Sequence, residues 1–318
     1  MSLPHALILA GPTASGKSAL ALDLAERLGG AIINADSMQL YRELRILTAR
    51  PTLADEARVP HRLYGIRAAA EAGNAAWWRS AALAAMADAV GAGRLPILTG
   101  GTGLYFSALT DGLAGIPAAT AEARAEARTL LAELGAPALH GRLAAVDPTT
   151  AATLNPNDSQ RVARAWEVWH STGIGLTTWQ AGRGEAAPYR FTAILLDPPR
   201  QHLRVAIASR LQSMLAEGAL AEVRALLDLS LDPALPAMRA HGVAELAAYL
   251  SGESTLQEAA RRTELATGQY TKRQATWFRH HALAPPDRTR TIASRYPESE
   301  QLLQRQLGQI IAFIQATG

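Results

Sequence analysis

The stretch Gly11-Pro12-Thr13-Ala14-Ser15-Gly16-Lys17-Ser18 decides the fold, because it follows the phosphate-binding pattern G-x-x-x-x-G-K-S. Its glycines let the backbone curl so that several N–H groups face phosphate oxygens, and Lys17 adds a positive charge. Ser18 offers a hydroxyl to Mg²⁺. The sequence therefore predicts a loop that binds a phosphate, and a nucleotide such as ATP is the usual ligand of such a loop.

The residues around this loop favour a parallel α/β sheet. His5–Ala10 is a short apolar run that is typical of a buried strand. After the loop, Leu20, Leu24 and Leu28 recur every four residues, and Gly29-Gly30 ends this helical pattern. Strand, glycine-rich loop and helix follow one another in the order that phosphate-binding folds require, which argues against a chance match.

Composition limits the class of protein. With 318 residues and 48% apolar residues, the chain can bury the core of one large domain or two modest ones. No segment approaches the roughly 20 apolar residues of a membrane span, and no export signal is visible. The absence of cysteine excludes disulfides and thiolate metal sites. We expect a cytoplasmic protein that does not associate with membranes.

Two further strands place polar residues beside the loop. Ala31–Asp36 reads as a strand that ends in a carboxylate, and the carboxyl ends of parallel strands meet at one edge of the sheet. A turn or helix N-cap is the alternative role for Asp36. Leu95–Thr99 is the next clear strand, and it leads into Gly100-Gly101-Thr102-Gly103. The Thr102 hydroxyl is a candidate contact to a phosphate or a reacting atom, although by itself this segment is better explained as a plain tight turn.

The middle of the chain has a different pattern. Between residues 112 and 188 the strand–helix alternation gives way to helical periods at Ala121–Leu134, Ala138–Val146 and Gln160–His170. The strand pattern resumes at Phe191–Asp197. We therefore predict an α/β fold with a P-loop-type parallel sheet flanked by helices, built from residues 1–111 and 189–318. A helical insertion domain would occupy 112–188, and a helical region would form the C-terminus.

Positive charge is concentrated near the C-terminus. The net charge is +3, yet residues 261–290 contain seven basic and two acidic residues. Only two of the 31 basic residues are lysines, Lys17 and Lys272. On the long helix predicted over Leu256–His281, Lys272, Thr276 and Arg279 share one face. This face suits a polyanion such as nucleic acid, and a merely solvated helix face is the alternative.

No other catalytic signature is present in the sequence. The eight histidines show no metal-ligand spacing, and neither a G-x-S-x-G elbow nor a kinase catalytic loop occurs. The motifs described so far leave two functions open. One is a P-loop kinase of nucleotides or small molecules. The other is a non-catalytic RNA-binding adaptor whose loop holds a nucleotide as a structural element.

Six ordered blocks resemble the tRNA dimethylallyltransferases, the bacterial tRNA isopentenyltransferase family. They cover the chain from about residue 5 to 281 and read GPTASGKS (11–18), NADSMQLYREL (34–44), PHRLYGI (60–66), GGTGLYFSAL (100–109), NPNDSQRVARAWEV (155–168) and YTKRQATWFR (270–279). The resemblance implies transfer of a dimethylallyl group from dimethylallyl diphosphate to N6 of adenine 37 in tRNA. The implied partner is the anticodon stem-loop, and the implied cofactor is Mg²⁺.

The resemblance also implies roles for individual residues. Gly11–Ser18 would hold the diphosphate, with Lys17 offsetting its charge and Ser18 binding Mg²⁺. Asp36 would accept the N6 proton, and Thr102 would position the amine or the diphosphate. With Lys17, Asp36 and Thr102, Arg161 completes the implied catalytic set, and a monomer is expected. The implied tRNA contacts are Asp36, Ser37, Met38, Gln39, Thr102, Arg124, Gln160, Arg161, Val162, Ala163, Arg164, Arg239, His241, Gly242, Lys272, Arg273, Gln274, Trp277 and Arg279.

The chain departs from the family pattern at two places. Where the family has Gly-Tyr-Arg after Arg239, this chain has Gly242-Val243-Ala244. The aromatic ring and the cation are missing, which puts the tRNA contact over residues 239–244 in question. Arg50 also replaces the usual lysine of a T-A-K-P turn, and this change conserves the charge.

Overall fold

The larger of the two compact units of the chain, Met1–Thr110 with Ala187–Gly318, is built around a parallel sheet of six strands in the order β3-β2-β4-β1-β5-β6. The computed structural model describes residues 2–182, 184–297 and 300–318. The strands are β1 (His5–Ala10), β2 (Gly30–Asn34), β3 (His61–Arg62), β4 (Leu95–Gly100), β5 (Arg190–Leu196) and β6 (Thr289–Ile292). All of their pairings are parallel, and the predicted α/β fold class is confirmed.

Strand β1 lies in the middle because its side chains are apolar on both faces. Ile8 packs into a core on one side of the sheet, and Leu7 and Leu9 pack into a separate core on the other. Successive side chains of a strand alternate between the two faces, so a strand covered by helices on both sides is apolar throughout. The run HALILA has this property, with burial that is complete from Ala6 onward.

Four helices follow the first four strands in the chain: α1 (Lys17–Leu28), α2 (Leu53–Arg58), α3 (Ala75–Gly91) and α4 (Gly103–Thr110). Helix α2 was not predicted, because its six residues are too few to show a helical period. It begins with a capping box in which Thr52 and Asp55 satisfy each other's N–H groups. On the face of the sheet that Ile8 shares, Trp78 of α3 stacks on Tyr105 of α4 with ring centroids 4.3 Å apart.

A second compact unit spans Asp111–Ala186 and is entirely helical in the described part of the chain. Its helices are α5 (Ala121–Val146), α6 (Pro148–Ala151), α7 (Ser159–Thr172) and α8 (Leu176–Ala181). The backbone of α5 breaks at Gly135, where φ is 76°, so that the two helices predicted there are separate rods. Leu139, Leu143, Val162 and Trp166 are among the residues that form the core of this unit.

The remaining helices are α9 (Arg200–Ala216), α10 (Ala219–Asp228), α11 (Val243–Leu250), α12 (Leu256–His280) and α13 (Glu300–Thr317). Within the described ranges, none of the helices is both long and apolar enough to cross a membrane. Strand β6 was not predicted, because its sequence Thr-Arg-Thr-Ile begins at the end of the basic segment and carries one apolar residue. It forms the edge of the sheet by pairing with β5, where Leu196 lies opposite Ile292.

Candidate active site

The loop Gly11–Ser18 connects β1 to α1 at the carboxyl edge of the sheet. Gly16 adopts φ 91°, and a Cβ built there would lie 1.7 Å from the carbonyl oxygen of Tyr296. Glycine is therefore required at this position both for its backbone conformation and for the close approach of another chain segment. Helix α1 begins at Lys17, and the first N–H groups of a helix have no partner within it. The positive end of this helix faces the loop and favours an anion.

The side chain of Gln274 ties this loop to the neighbouring one. Its Oε1 accepts a hydrogen bond from the Thr13 N–H at 2.9 Å, and its Nε2 donates to the Gly101 carbonyl at 2.9 Å. Gln274 is only 4% exposed, so its amide serves the protein interior. The implied tRNA contact of Gln274 is therefore corrected to a positioning role, because a buried and doubly bonded amide has no surface for RNA.

Lys17 is largely surrounded by protein at the N-terminus of helix α1. Its Nζ lies 3.4 Å from the Pro12 carbonyl oxygen, to which it donates. Burial lowers the pKa of Lys17 to about 8; the Asp36 carboxylate opposes this shift, and the Arg210 cation adds to it. An anion that binds beside Lys17 would offset both the loss of water around the ammonium group and its repulsion by Arg210. This makes the amine a favourable partner for a phosphate.

Asp36 lies two residues beyond the end of β2, in a turn that its neighbours hold. Asn34 accepts from the Asp36 N–H at 2.8 Å and donates to the Asp36 carbonyl at 2.9 Å. The Oδ1 atom of Asp36 accepts from the Met38 N–H at 3.0 Å. Asp36 thus has the turn role that the sequence left open. This role uses only one of its two carboxylate oxygens. The same carboxylate also lines a cavity together with Lys17.

Thr102 joins the end of β2 to the end of β4. Its hydroxyl accepts from the Ser37 N–H at 3.0 Å, and its own N–H donates to the Ala35 carbonyl at 3.2 Å. Thr102 holds the segment that carries Asp36. It is not among the residues that line the cavity beside Lys17.

That cavity, which we call the P-loop cavity, has a charged end and apolar walls. It encloses about 100 Å³ and lies wholly within the unit that contains the sheet. Its polar lining includes Thr13, Lys17, Ser18, Asp36 and Arg210. Its apolar lining consists of Met38, Leu47, Ile207, Leu211, Met214 and Ala240. The cavity can therefore hold a ligand that has an anionic head and a short hydrocarbon tail.

Arg210 is a cavity residue that the sequence analysis missed. It lies on α9 in a stripe of buried apolar residues, Leu203, Ile207, Leu211 and Met214. Burial lowers the pKa of its guanidinium, and the nearby Asp36 carboxylate opposes the shift. Arg210 lies seven residues after Leu203 and therefore on the same helix face as the apolar stripe. A cation at such a position is the sequence signal that could have identified it.

Residues 45–49, of which Leu47 and Thr48 line the cavity, are held in place by two polar side chains. The Glu222 carboxylate on α10 accepts three successive backbone N–H groups, from Arg45, Ile46 and Leu47, at 2.7, 2.7 and 2.9 Å. Gln39 donates to the carbonyls of Thr48 and Ala49 at 2.8 and 3.0 Å. Gln39 was expected to contact tRNA, and its amide nitrogen is engaged within the protein. No sequence motif marks Glu222, because its partners are backbone groups about 175 residues away.

His241 and Tyr270 form an aromatic side of the cavity, with ring centroids 4.9 Å apart. Burial lowers the pKa of His241. The next residue, Gly242, is buried at the start of α11 with φ 98°. The tRNA contact implied for Gly242 is therefore corrected, because a buried glycine exposes no surface that RNA could contact. Val243 is 1% exposed within an apolar cluster, and Ala244 is exposed. The departure from the family pattern thus places a core residue at 243 and only a methyl group at the surface.

The basic face of α12 is available to a partner. Lys272, Arg273 and Arg279 are exposed, and Arg279 lies 3.9 Å from Asp197. Trp277 is half-buried, with its ring against Gly103 and stacked on His281 at a centroid distance of 4.1 Å. Arg239 is also exposed, and Met38 is half-buried beside the cavity.

The candidate residues of the helical unit lie mostly on its surface. Arg124, Gln160 and Arg161 are exposed, and Ala163 and Arg164 are half-buried. Arg161 and Arg164 pair with acids on their own helix, Asp158 at 3.4 Å and Glu167 at 3.1 Å. Val162 is fully buried in the core of the unit, and its implied tRNA contact is wrong because no atom of its side chain reaches the surface.

The residues at the loop fit a magnesium ion that a substrate would share. The Ser18 hydroxyl is exposed, and the Asp36 carboxylate lines the same cavity. Both offer the hard oxygen ligands that Mg²⁺ prefers. No cluster of three or more His, Cys, Asp or Glu able to hold a metal occurs in residues 2–182, 184–297 and 300–318. This sparse set suits Mg²⁺, which commonly keeps waters and takes its other ligands from phosphate oxygens.

The lowered pKa of Lys17 predicts a specific pH dependence of stability. Above pH 8 the folded protein releases the Lys17 proton, whereas the unfolded chain keeps it until about pH 10.5. Because the unfolded state then binds more protons, wild type should gain stability relative to Lys17→Met as the pH rises from 7.5 to 9.5. Urea unfolding of both proteins at these two pH values measures the change, and an unchanged difference would contradict the shift.

Comparison with known proteins identifies the family to which the chain is related. The sequence model of the IPP transferase family matches residues 39–281. A tRNA dimethylallyltransferase from Granulibacter bethesdensis is 58% identical over 317 residues, which covers 99% of each chain. The full-length tRNA isopentenylpyrophosphate transferase from Bacillus halodurans has a crystal structure that is 31% identical. It covers 99% of this chain and 98% of its own, with a TM-score of 0.69.

A second structure, of a eukaryotic dimethylallyltransferase acting on tRNA, has a TM-score of 0.79 at 23% identity. It covers 99% of this chain and 80% of its own, and at that identity it shows the shared fold alone. The family match extends over most of the chain, and the Granulibacter relative matches from end to end. The chain belongs to the IPP transferase family.

Proposed function

We propose that this chain is a tRNA dimethylallyltransferase that transfers the dimethylallyl group of dimethylallyl diphosphate to N6 of adenosine 37 in tRNA. The observation that carries the proposal is the P-loop cavity, in which Lys17 and Arg210 adjoin a wall of Leu47, Ile207 and Leu211. An allylic diphosphate has this same division between an anionic head and an apolar tail. In this proposal the enzyme acts as a monomer on tRNA in the cytoplasm.

In the proposed reaction the loop Gly11–Ser18 holds the diphosphate, and the apolar wall holds the five-carbon chain. The bond between the allylic carbon and the diphosphate oxygen breaks, and its electron pair leaves with pyrophosphate. Lys17 and Arg210 offset the charge that grows on this leaving group. The N6 nitrogen forms the new bond to carbon, and Asp36 accepts the proton that N6 loses. Thr102 acts by holding the turn that carries Asp36.

Ser18 is the residue proposed to hold Mg²⁺, and the remaining ligands would be waters and diphosphate oxygens. When bound, this ion would supply further positive charge to the diphosphate. The remaining chemistry depends on the chain's own groups: the backbone of the loop orients the leaving group, and the apolar walls keep water away from the allylic carbon. Exclusion of water matters because an activated allylic carbon would otherwise react with water instead of with N6.

The target adenine must leave the stacked anticodon loop before its N6 reaches the cavity. The basic face of α12 supports this step, because Lys272, Arg273 and Arg279 are exposed cations that can contact phosphates. His241 and Tyr270 line the cavity and offer aromatic faces to a base. Arg124, Gln160, Arg161 and Arg164 of the helical unit are proposed as further tRNA contacts.

The apolar wall also separates this proposal from the two alternatives. A P-loop kinase has no need of a hydrocarbon wall beside its phosphate-binding loop, whereas Lys17 here adjoins hydrocarbon side chains. An adaptor that only binds RNA needs no carboxylate next to the phosphate site, yet Asp36 lies there. Labelled dimethylallyl diphosphate incubated with Mg²⁺ and unmodified tRNA, beside an ATP control, discriminates among the three functions.

Direct binding tests the hydrocarbon wall without any mutation. Dimethylallyl diphosphate should bind more tightly than inorganic pyrophosphate, because each buried CH₂ contributes about 0.8 kcal/mol. Five carbons that are only partly buried should therefore give an advantage of roughly 10- to 1,000-fold. Isothermal titration calorimetry in the presence of Mg²⁺ measures both ligands, with ATP as the control. ATP that binds as tightly as dimethylallyl diphosphate, or more tightly, would refute the proposed substrate.

Replacement of Asp36 tests the proposed base. Asp36→Asn keeps the oxygen that accepts from Met38 but cannot accept a proton, so transfer should fall by about 100-fold or more. Binding of tRNA should remain within about twofold, since no phosphate contact is lost. The matched control is Asp88→Asn, which changes an exposed carboxylate on α3. Full transfer activity in Asp36→Asn would eliminate Asp36 as the base.

The basic face is tested through the salt dependence of tRNA binding. Lys272→Ala and Arg279→Ala should each weaken binding and reduce the slope of log K against log salt by about 1, as expected when one phosphate contact is lost. Arg94→Ala is the control, because Arg94 is exposed just before β4, at the amino ends of the strands, whereas the loop lies at their carboxyl ends. Slopes that match wild type in both variants would mean that this face is only solvated.

A further inference from the structure

A second, larger cavity opens on the loop and is lined by cations. It encloses about 740 Å³, and the loop contributes Ala14, Gly16, Lys17 and Ser18 to it. Its charged and titratable lining consists of Lys17, His202, Arg210 and Arg295, which we call the cationic basin. None of the described residues that line it is acidic. Because Lys17, Ser18 and Arg210 also line the P-loop cavity, the two cavities meet at the start of α1.

Arg295 is fixed at the edge of this basin by the loop itself. Its Nε donates to the Ala14 carbonyl at 2.9 Å, which leaves the two terminal nitrogens of the guanidinium for another partner. The charge of Arg295 contributes to the lowered pKa of Arg210, so the two cations act on each other. Two neighbouring guanidinium groups and Lys17, with no acid lining the same space, create a positive potential that an anion would relieve.

The segment around Arg295 is anchored on both sides of its contact with the loop. The Tyr296 N–H donates to the Ser15 carbonyl at 2.9 Å, and the Tyr296 hydroxyl donates to the Asp23 carboxylate at 2.6 Å. Upstream, β6 is paired with β5. Arg295 is therefore held close to the diphosphate loop, although it lies 278 positions along the chain from Lys17 and beyond the stretch that matches the family model.

We propose that the cationic basin is a binding site for free pyrophosphate, the leaving group of the reaction, and that Arg295 is its principal added contact. This proposal rests on the proposed function, because prenyl transfer is what generates pyrophosphate at Lys17. When the bond between carbon and oxygen breaks, the electron pair remains on the diphosphate, which gains negative charge. Lys17 and Arg210 border both cavities, so the anion can pass from the P-loop cavity into the basin without losing its cationic partners.

Binding of inorganic pyrophosphate to the full-length chain in the presence of Mg²⁺ tests this proposal. Arg295→Gln should weaken pyrophosphate binding by about 10-fold or more, the effect expected for a lost charge-assisted contact. It should also raise the constant for product inhibition by a similar factor. Arg295→Lys should fall between Arg295→Gln and wild type. The matched control is Arg290→Gln, which changes an arginine of β6 that donates to the Gln309 carbonyl outside the basin.

A further variant separates ligand binding from mere support of the loop. Tyr296→Phe removes the hydrogen bond to Asp23 but keeps the charge of Arg295. If the basin binds pyrophosphate through Arg295, Tyr296→Phe should leave the salt dependence of binding unchanged, and Arg295→Gln should reduce it. Equal weakening in the two variants with identical salt dependence would reduce Arg295 to a structural support and overturn the proposal.

The experiment also distinguishes the basin from the proposed function. Label transfer to tRNA together with unaltered pyrophosphate binding in Arg295→Gln would overturn the basin and leave the transferase standing. The absence of label transfer in wild type, with pyrophosphate binding that depends on Arg295, would refute the transferase and leave an anion site. Parallel titration with dimethylallyl diphosphate shows the source of the anion: a larger loss for pyrophosphate than for the substrate supports a product site, and an equal or smaller loss contradicts it.

Discussion

The phosphate-binding loop is held in place from outside, and the rest of the site depends on this. A loop that presents N–H groups to an anion cannot use those groups to stabilise itself. Here Gln274 binds the Thr13 N–H from one direction, and Arg295 and Tyr296 bind the Ala14 and Ser15 carbonyls from another. These contacts engage groups of the loop that do not belong to the start of α1. The anion site is therefore preorganised by residues from the last fifth of the chain.

Lys17 stands where apolar and cationic surroundings meet, and this junction suits the breaking of an allylic diphosphate. Its pKa is lowered to about 8 because the amine is largely removed from water, and Arg210 lowers it further. The Asp36 carboxylate opposes this shift, so one group moderates the charge of the site and is also the proposed base. A phosphoryl-transfer site would need the same loop but not a hydrocarbon wall. The proposed ligand class therefore depends on Leu47 and on the apolar stripe of α9.

Local patterns were sufficient for the frame of the site. The strand before the loop, helix α1, the turn with Asp36 and the basic face of α12 follow from periodicity and short motifs, which depend on neighbouring residues. Helix α2 and strand β6 escaped prediction because they are short: a capping box and pairing with β5 stabilise them, rather than an apolar period. Resemblance to a family supplied roles that no spacing in the chain reveals, and it did not distinguish buried positions from exposed ones.

The sequence by itself determined that a phosphate-binding pattern occupies Gly11–Ser18, that a carboxylate follows the second strand, and that positive charge gathers before the C-terminus. These are properties of residue type and local order. Only the tertiary structure decided that Gln274, Val162 and Gly242 are buried, and that Arg210 and Arg295 converge on the loop. It also decided that Glu222 holds the backbone of residues 45–47. The physical reason is that burial, and the pKa values that depend on it, arises from contacts between segments far apart in the chain, which no local pattern encodes.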